Sequence, residues 1–534
     1  MSRRLLLAVI TALLIVRLPS LAQPMGADQG LYAYVGERIL HGDLAYRDAW
    51  DQKPPGIHYV YAALRAMSTR DFVVPAADLV AAALVGALLW SIGRRLDGPM
   101  AGGLSSVIFL FLSDPSFARY GGVRVRGQAE TFIALAVSAA VAIVIGVGAQ
   151  GANGAEGAMG AGAKGARGAR GALLFAAGLC LGAAFALKYN AGLYVVVVLL
   201  ALALTTGLTL VDAIWIGAGS LVIPLALLAV FWHGGALDDL YQATIVYNVR
   251  YSGETYASKL DVLKYLIRFP IDRARLDALW FLGGLGSLVL LVAGARRRVW
   301  WLPVVWVAAA CLSIAINGSR GLPQYFVQAA PALALSAGLG TAIALPPLPR
   351  LVRWIVVLIL AVGVWRVGDD PFPKLASNVW LDTQYVFGRT DRRTHLSRFG
   401  GTRETDKFSA LANYDLGAFL ASKTKPEETV CIFGFSPAAY VYAGRTSASR
   451  FFWSRPVILD FNRENPRYGV AGLAADLQRA RPAYVVLQKH DWSPDVQDSA
   501  PFFLSQPALA SWLHDAYREV PSVEGFETWE RQDR

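Results

Sequence analysis

Asp28, Glu37, Asp43, Asp48 and Asp51 lie within one short stretch of the 534-residue chain, ADQGLYAYVGERILHGDLAYRDAWDQKPPG. Lys53 closes that stretch just before Pro54 and Pro55. A positioned carboxylate can take a proton from a hydroxyl, and a lysine can hold an anion. Together they suit a reaction in which an acceptor hydroxyl is deprotonated while negative charge builds on a leaving group. Residues of the same kinds recur at the ends of apolar runs: Arg124, Arg126, Glu130, Lys188, Arg250, Arg320 and Tyr325.

The elements that must carry these residues are mostly hydrocarbon-seeking. The chain is 55% hydrophobic and 17% charged, with a mean hydropathy of +0.41. Soluble domains carry about 25% charged residues. Apolar segments fall at about 4–21, 72–93, 99–113, 129–148, 171–187, 190–208, 210–232, 277–295, 300–316, 325–345 and 352–368, which predicts about eleven membrane helices. The N-terminal segment, with Arg3 and Arg4 before its apolar run, reads as an uncleaved first helix, with a signal peptide as the alternative.

Basic residues set the sidedness. Arg3-Arg4, Arg94-Arg95, Lys164 with Arg167 and Arg170, Arg296-Arg297-Arg298, and Arg350 with Arg353 fall on one side if the helices alternate. That side is cytoplasmic by the positive-inside rule. The N-terminus is then cytoplasmic in the plasma (inner) membrane, and the stretch headed by Asp28 is outside. The net charge of +11 is largely accounted for by these loops, so nucleic acid is not implied as a partner. Cys180, Cys311 and Cys431 make no disulfide framework, and no Cys/His spacing marks a metal site. The Gly/Ala-rich run at 149–171 reads as a flexible linker.

From about 369 the composition changes. Strand-like runs at 429–435 and 483–489 alternate with helix-like stretches near 411–422, 470–480 and 507–516, which predicts a small α/β domain outside the membrane. Gly434-Phe435-Ser436-Pro437 reads as a turn after a strand. The expected division is therefore a membrane domain over 1–368, with its first outer loop at 22–71, and a domain over 369–534.

Lys53, Arg124, Arg126, Lys188, Arg250 and Arg320 break the sidedness rule, since all fall at outer helix ends or in outer loops. A mouth ringed with such cations suits a phosphate at the membrane surface; snorkelling to lipid headgroups is the plainer account. The acids invite the same comparison. Asp28 precedes a stretch with Leu31, Val35 and Ile39 on one face, which reads as a helix N-cap heading a surface helix. Asp48 and Asp51 are loop acids. Glu130 opens an apolar helix, where an acid is usually functional, and Arg126 is a candidate partner. Asp78 pairs with a neighbouring helix, and Tyr325 is an interfacial aromatic or a ligand contact. The 233–275 loop, with Tyr241, Tyr247, Tyr251 and Tyr256, is a candidate cover for the site.

A first span, an acid at the head of the outer loop, and then Tyr46-x-Asp48-x-x-Asp51-x-Lys53-Pro54-Pro55-Gly56 before the second span resemble the membrane-embedded GT-C glycosyltransferases. The branch is that of protein O-mannosyltransferases and the lipid A aminoarabinose transferase, a family 39-like group. Arg17-Leu18, and Gln324-Tyr325-Phe326 before Pro331, are similar to segments of the same branch. The resemblance implies a mainly α, polytopic GT-C bundle with a C-terminal α/β domain. It also implies a polyprenyl-phosphate-linked sugar donor, a glycan, lipid or protein acceptor, and inversion at the anomeric carbon. Asp28 is then the base. Lys53, Lys188, Arg320, Arg124 and Arg126 hold the donor phosphate, and Asp48, Asp51, Glu130, Tyr325 and Gln29 contact sugar or acceptor. Two positions depart from the pattern. The family's acidic pair is Asp-Glu where this chain has Asp28-Gln29, and Gln52 stands where the aminoarabinose transferase branch has an acid. The bound metal of that branch is therefore not carried over, and a divalent ion is left open. The rival functions are a secondary transporter or flippase, which the lack of an internal repeat disfavours, and a non-catalytic membrane scaffold.

Overall fold

The computed structural model describes residues 3–154, 162–253, 255–367, 371–401 and 408–534. Contacts divide the chain into two compact units. The first comprises Met1–Pro19, Ala76–Val230 and Val249–Val379; the second comprises Ser20–Pro75, Phe231–Asn248 and Trp380–Arg534. This division differs from the 1–368 and 369–534 boundary expected from composition. The Ser20–Pro75 segment folds with the C-terminal residues because they share one apolar core, described below. Residues 368–370, at the expected boundary, and 155–161, inside the expected linker, lie outside the described residues. On either side of 155–161 the chain is helical, over Ala129–Gly154 and Gly162–Leu187, as its alanine content favours.

The first unit is a helical membrane bundle. Among the described residues, seven helices are long and apolar enough to cross a membrane. Shorter apolar helices over Pro99–Leu112, Tyr189–Thr205 and Ala278–Ala293 accompany them. Lipid gives helices no hydrophobic reason to associate, so small residues and close packing hold the bundle together. Pro99–Leu112, Ala278–Ala293 and Ala330–Ala344 pack in this way. A Cβ at Gly283 would sit 2.7 Å from Leu333 Cβ, and one at Gly340 would sit 2.7 Å from Gly286 Cα.

The second unit is α/β. Its strands are β1 (Val430–Phe433), β2 (Tyr484–Gln488), β3 (Tyr517–Val520) and β4 (Phe526–Arg531), in the order β1-β2-β4-β3. β1 and β2 run parallel, with Val430 opposite Tyr484, whereas β4 runs antiparallel to both β2 and β3. VCIF and YVVLQ are buried at every position, as expected of strands covered on both faces. Helices at Ala410–Lys423, Gly469–Ala480 and Pro507–Ala516 match the sequence expectation, and 434–437 forms the turn after β1.

The helix headed by Asp28 spans Ala27–Leu40 and is no surface helix. Gln29 through Gly36 are all buried. It packs on the Gly56–Met67 helix and on the Ala438–Ala443 helix. Its glycines permit this: a Cβ at Gly30 would lie 2.7 Å from Ala438 Cβ, and one at Gly36 2.7 Å from the Ala62 nitrogen. The 45–53 segment is enclosed likewise. Trp50 is fully buried among Tyr247, Phe451, Trp453 and Phe461, and Trp453 Nε1 donates to the Trp50 carbonyl at 2.9 Å.

His395 also belongs to this unit. Its ring stacks on Tyr385 at 3.9 Å, and Nε2 lies 3.1 Å from the Ala22 carbonyl. Burial pushes the imidazole from 6.5 down to about 4. Below pH 6.5 the unfolded segment therefore binds a proton that the folded segment refuses. Stability here is complete above pH 6.5 and is lost as pH falls toward about 4. We expect the protection factor of the Phe399 amide to fall across that window, and His395→Phe to remove that fall. An unchanged pH profile in the variant would show that another group is responsible.

Candidate active site

Asp28 is the second residue of the Ala27–Leu40 helix, and Gly26 is its N-cap. The expected N-cap role for Asp28 is therefore replaced by a place in the first turn. There its half-buried carboxylate meets the positive end of the helix dipole. Gln29, where the family pattern has an acid, is 2% exposed. A neutral side chain suits that enclosure, since a buried charge demands a partner.

The loop that follows is held by its own side chains. Tyr46 is fully buried in the left-handed region at φ 70°, a conformation that costs about 1–3 kcal/mol for a bulky residue and tends to mark functional sites. Its hydroxyl donates to the Lys53 carbonyl at 2.7 Å, and Asn248 Nδ2 donates to the Gln52 carbonyl at 2.6 Å. Lys53, before Pro54, is half-buried. Asp48 accepts from the Leu44 N–H at 2.9 Å and from Arg47 at 2.8 Å. Burial alone would raise the Asp48 carboxyl, but Arg47 and the Leu44 N–H outweigh it and hold it below the usual range. Asp51 is 1% exposed, accepts from the Gln52 N–H at 2.7 Å, and has His58 Nε2 at 3.2 Å from its other oxygen. That contact lacks the alignment of a hydrogen bond. Asp51 is thus turned onto His58, inside a cage of Tyr32 and Tyr46. His58 was not singled out in the sequence. Its only signal there was a lone histidine on the helix after Lys-Pro-Pro.

The remaining expected residues lie in the first unit. Glu130 opens the Ala129–Gly154 helix and Lys188 follows the Gly162–Leu187 helix. The two form a buried ion pair, with side chains 2% and 7% exposed. Lys188 Nζ also lies 4.2 Å from the Tyr325 ring centroid. Glu130, Lys188 and Tyr325 are therefore brought together, and the ion-pair partner of Glu130 among the described residues is Lys188, where the sequence offered Arg126. Arg126 instead lies 3.9 Å from Asp78 and 3.4 Å from both Ser116 Oγ and the Gly121 carbonyl. Asp78 accepts from the Gly127 N–H and the Thr131 hydroxyl, which resolves its pairing.

Tyr325 is 4% exposed, so its ring is packed inside the protein. Beneath it runs a hydrogen-bonded chain: Asn190 to Ser313 at 3.0 Å, Ser313 to Gln328 at 2.7 Å, and Gln328 to the Tyr325 carbonyl at 3.0 Å. Tyr194 adds a bond to Gln328 at 3.0 Å. These polar residues were missed because each is unremarkable in an apolar run. Arg320 lies over Tyr251 at 3.8 Å, and Arg124 is exposed. The 233–275 segment, expected as a loop, is helical over Leu237–Tyr241, Tyr247–Gly253 and Lys259–Leu276, with a π-helical turn at Gln242–Val246. Among the described residues, no group of three His, Cys, Asp or Glu is placed to hold a metal ion.

A multi-pass helical bundle joined to a small α/β unit is the architecture of the GT-C membrane proteins, and this chain has that fold. No family model matches the sequence, and a search of curated proteins finds no match. Solved structures do match. ArnT from Cupriavidus metallidurans bound to undecaprenyl phosphate aligns over 98% of this chain and 97% of its own, with a TM-score of 0.59 and 16% identity. The Archaeoglobus fulgidus oligosaccharyltransferase tethered to an acceptor peptide aligns over 99% of this chain and 74% of its own, with a TM-score of 0.54 and 11% identity.

Proposed function

We propose that this chain is an inverting glycosyltransferase. It moves a sugar from a polyprenyl-phosphate donor to an envelope glycan, lipid or protein acceptor at the outer face of the membrane. The observation that carries this reading is the near end-to-end likeness to ArnT bound to undecaprenyl phosphate. The residues supply a matching chemistry. Asp28, half-buried in a first helical turn, takes the proton of the acceptor hydroxyl. Lys53, steadied through its carbonyl by Tyr46, meets the donor phosphate as its bond to the anomeric carbon breaks. Lys188, Arg320 and the exposed Arg124 add positive charge. Asp48 serves the sugar or acceptor, and the buried Tyr325 backs Lys188. The enclosed Asp51, Arg126, Glu130 and Gln29 act through their neighbours and hold the frame.

The test uses purified chain, labelled polyprenyl-phosphate sugars and fractionated envelope acceptors. We expect label to move to one acceptor fraction. Lys53→Ala should raise the donor KM about tenfold or more, as loss of a charge-assisted contact does, with little change in thermal midpoint. Absence of transfer to every fraction overturns the function; an unchanged donor KM overturns the role of Lys53.

A further inference from the structure

Two features at one end of the membrane bundle have no part in that proposal. The first is a cavity of about 370 Å³. Its lining includes Leu112 at the end of the Pro99–Leu112 helix, Leu279 and Trp280 at the start of Ala278–Ala293, Phe326 beside the start of Ala330–Ala344, and Val364 in the last turn of Arg350–Arg366. Ends of oppositely directed membrane helices meet there. The cavity therefore lies where hydrocarbon gives way to headgroups.

The second feature is the Lys259–Leu276 helix, which leads into Ala278–Ala293. Leu260, Leu263, Ile267 and Ile271 are 58%, 51%, 62% and 54% exposed. Their spacing puts them on one face of the helix. Lys264, Arg268 and Arg275 are exposed on the same helix, where they pair with Asp261 and Asp272 and outnumber them. An apolar stripe flanked by cations is the pattern of a helix lying in an anionic lipid interface.

The two features meet at Arg273 and Leu276, which belong to the helix and line the cavity. Arg273 Nη2 lies 3.1 Å from Asp277, and its guanidinium stacks on Phe326 at 4.3 Å. Its Nε is enclosed and has no hydrogen-bond partner among the described residues. The side chain is still 26% exposed, so an N–H that Asp277 leaves open can meet an anionic acceptor beside the cavity.

We propose that this corner binds one anionic acyl-chain lipid of the surrounding leaflet, with a chain in the cavity and its phosphate on Arg273. The volume is at the small end for ligand pockets, suited to one chain segment rather than to a long polyprenyl tail. None of the cations assigned above to the donor phosphate lines it.

The experiment is native mass spectrometry of the full chain, released from nanodiscs that hold equal parts phosphatidylglycerol and phosphatidylcholine with identical acyl chains. Phosphatidylglycerol should be retained in preference. Arg273→Gln should lower that retention about tenfold, the effect of losing one charged contact. Ala330→Phe fills the cavity from one wall and should exclude the bound lipid. Val364→Phe does so from another wall if the first variant does not fold. Equal retention of the two lipids, retention unchanged in the variants, or displacement by added polyprenyl phosphate would each overturn the proposal, the last by making the cavity a donor-tail site. None of these readouts needs sugar transfer, so failure here is distinguishable from failure of the transferase reading.

Discussion

Asp28→Asn is expected to lower kcat/KM for sugar transfer by roughly 10²–10⁴, the range a positioned general base supplies. The protein should remain folded. Asparagine keeps the shape and the acceptor oxygen of the side chain but cannot take the hydroxyl proton. The structural cost is confined to the first turn of the Ala27–Leu40 helix, where a carboxylate at the dipole's positive end contributes about 0.3–1 kcal/mol. The loss in the barrier corresponds to about 3–5 kcal/mol, so the two effects separate cleanly. Transfer rates and thermal unfolding measured in the same detergent decide the matter. Retention of transfer within about tenfold of the parent would remove Asp28 from the chemistry, because no general base acts so weakly. Glu37, on the same helix but engaged with Arg65 at 2.5 Å, is the control acid. Its replacement should affect stability more than the pH dependence of transfer.

The fold was legible where a single physical pressure governs a long stretch. Apolar runs announced the membrane helices, and VCIF and YVVLQ announced strands. β3 and β4 were not legible, because YREV and FETWER carry charges that mask their buried positions. The Ala27–Leu40 helix was misjudged for a related reason. Leu31, Val35 and Ile39 make one apolar face, but its other faces are closed by backbone approaching Gly30 and Gly36, and glycine leaves no hydrophobic signal. At the candidate site, residue types were readable and partners were not. Nothing local pairs Asp51 with His58 in preference to solvent. Likewise Glu130 had a plausible partner four residues away in Arg126, yet it turns to Lys188, which is 58 positions distant. Such choices are made by tertiary packing, which a single sequence leaves unspecified.

The Glu130–Lys188 pair carries the largest expected effect on stability. Lys188→Met should destabilise the protein by about 3–5 kcal/mol, because it leaves the Glu130 carboxylate uncompensated where it is 1% exposed. Glu130→Leu should cost a similar amount by removing the buried counter-charge of the Lys188 ammonium. The double variant, Glu130→Leu with Lys188→Met, removes both charges and keeps apolar volume. It should recover most of the loss, since a buried ion pair replaced as a unit is often nearly neutral. Thermal unfolding of the two single variants and the double variant forms a cycle whose coupling term measures the pair directly. Single variants as stable as the parent would mean that water reaches the pair. The double variant also separates structure from chemistry. If it is folded but binds donor weakly, Lys188 lends its charge to the phosphate while Glu130 positions it. If it is folded and fully active, the pair is a structural pin joining two membrane helices and Lys188 has no part in holding the donor.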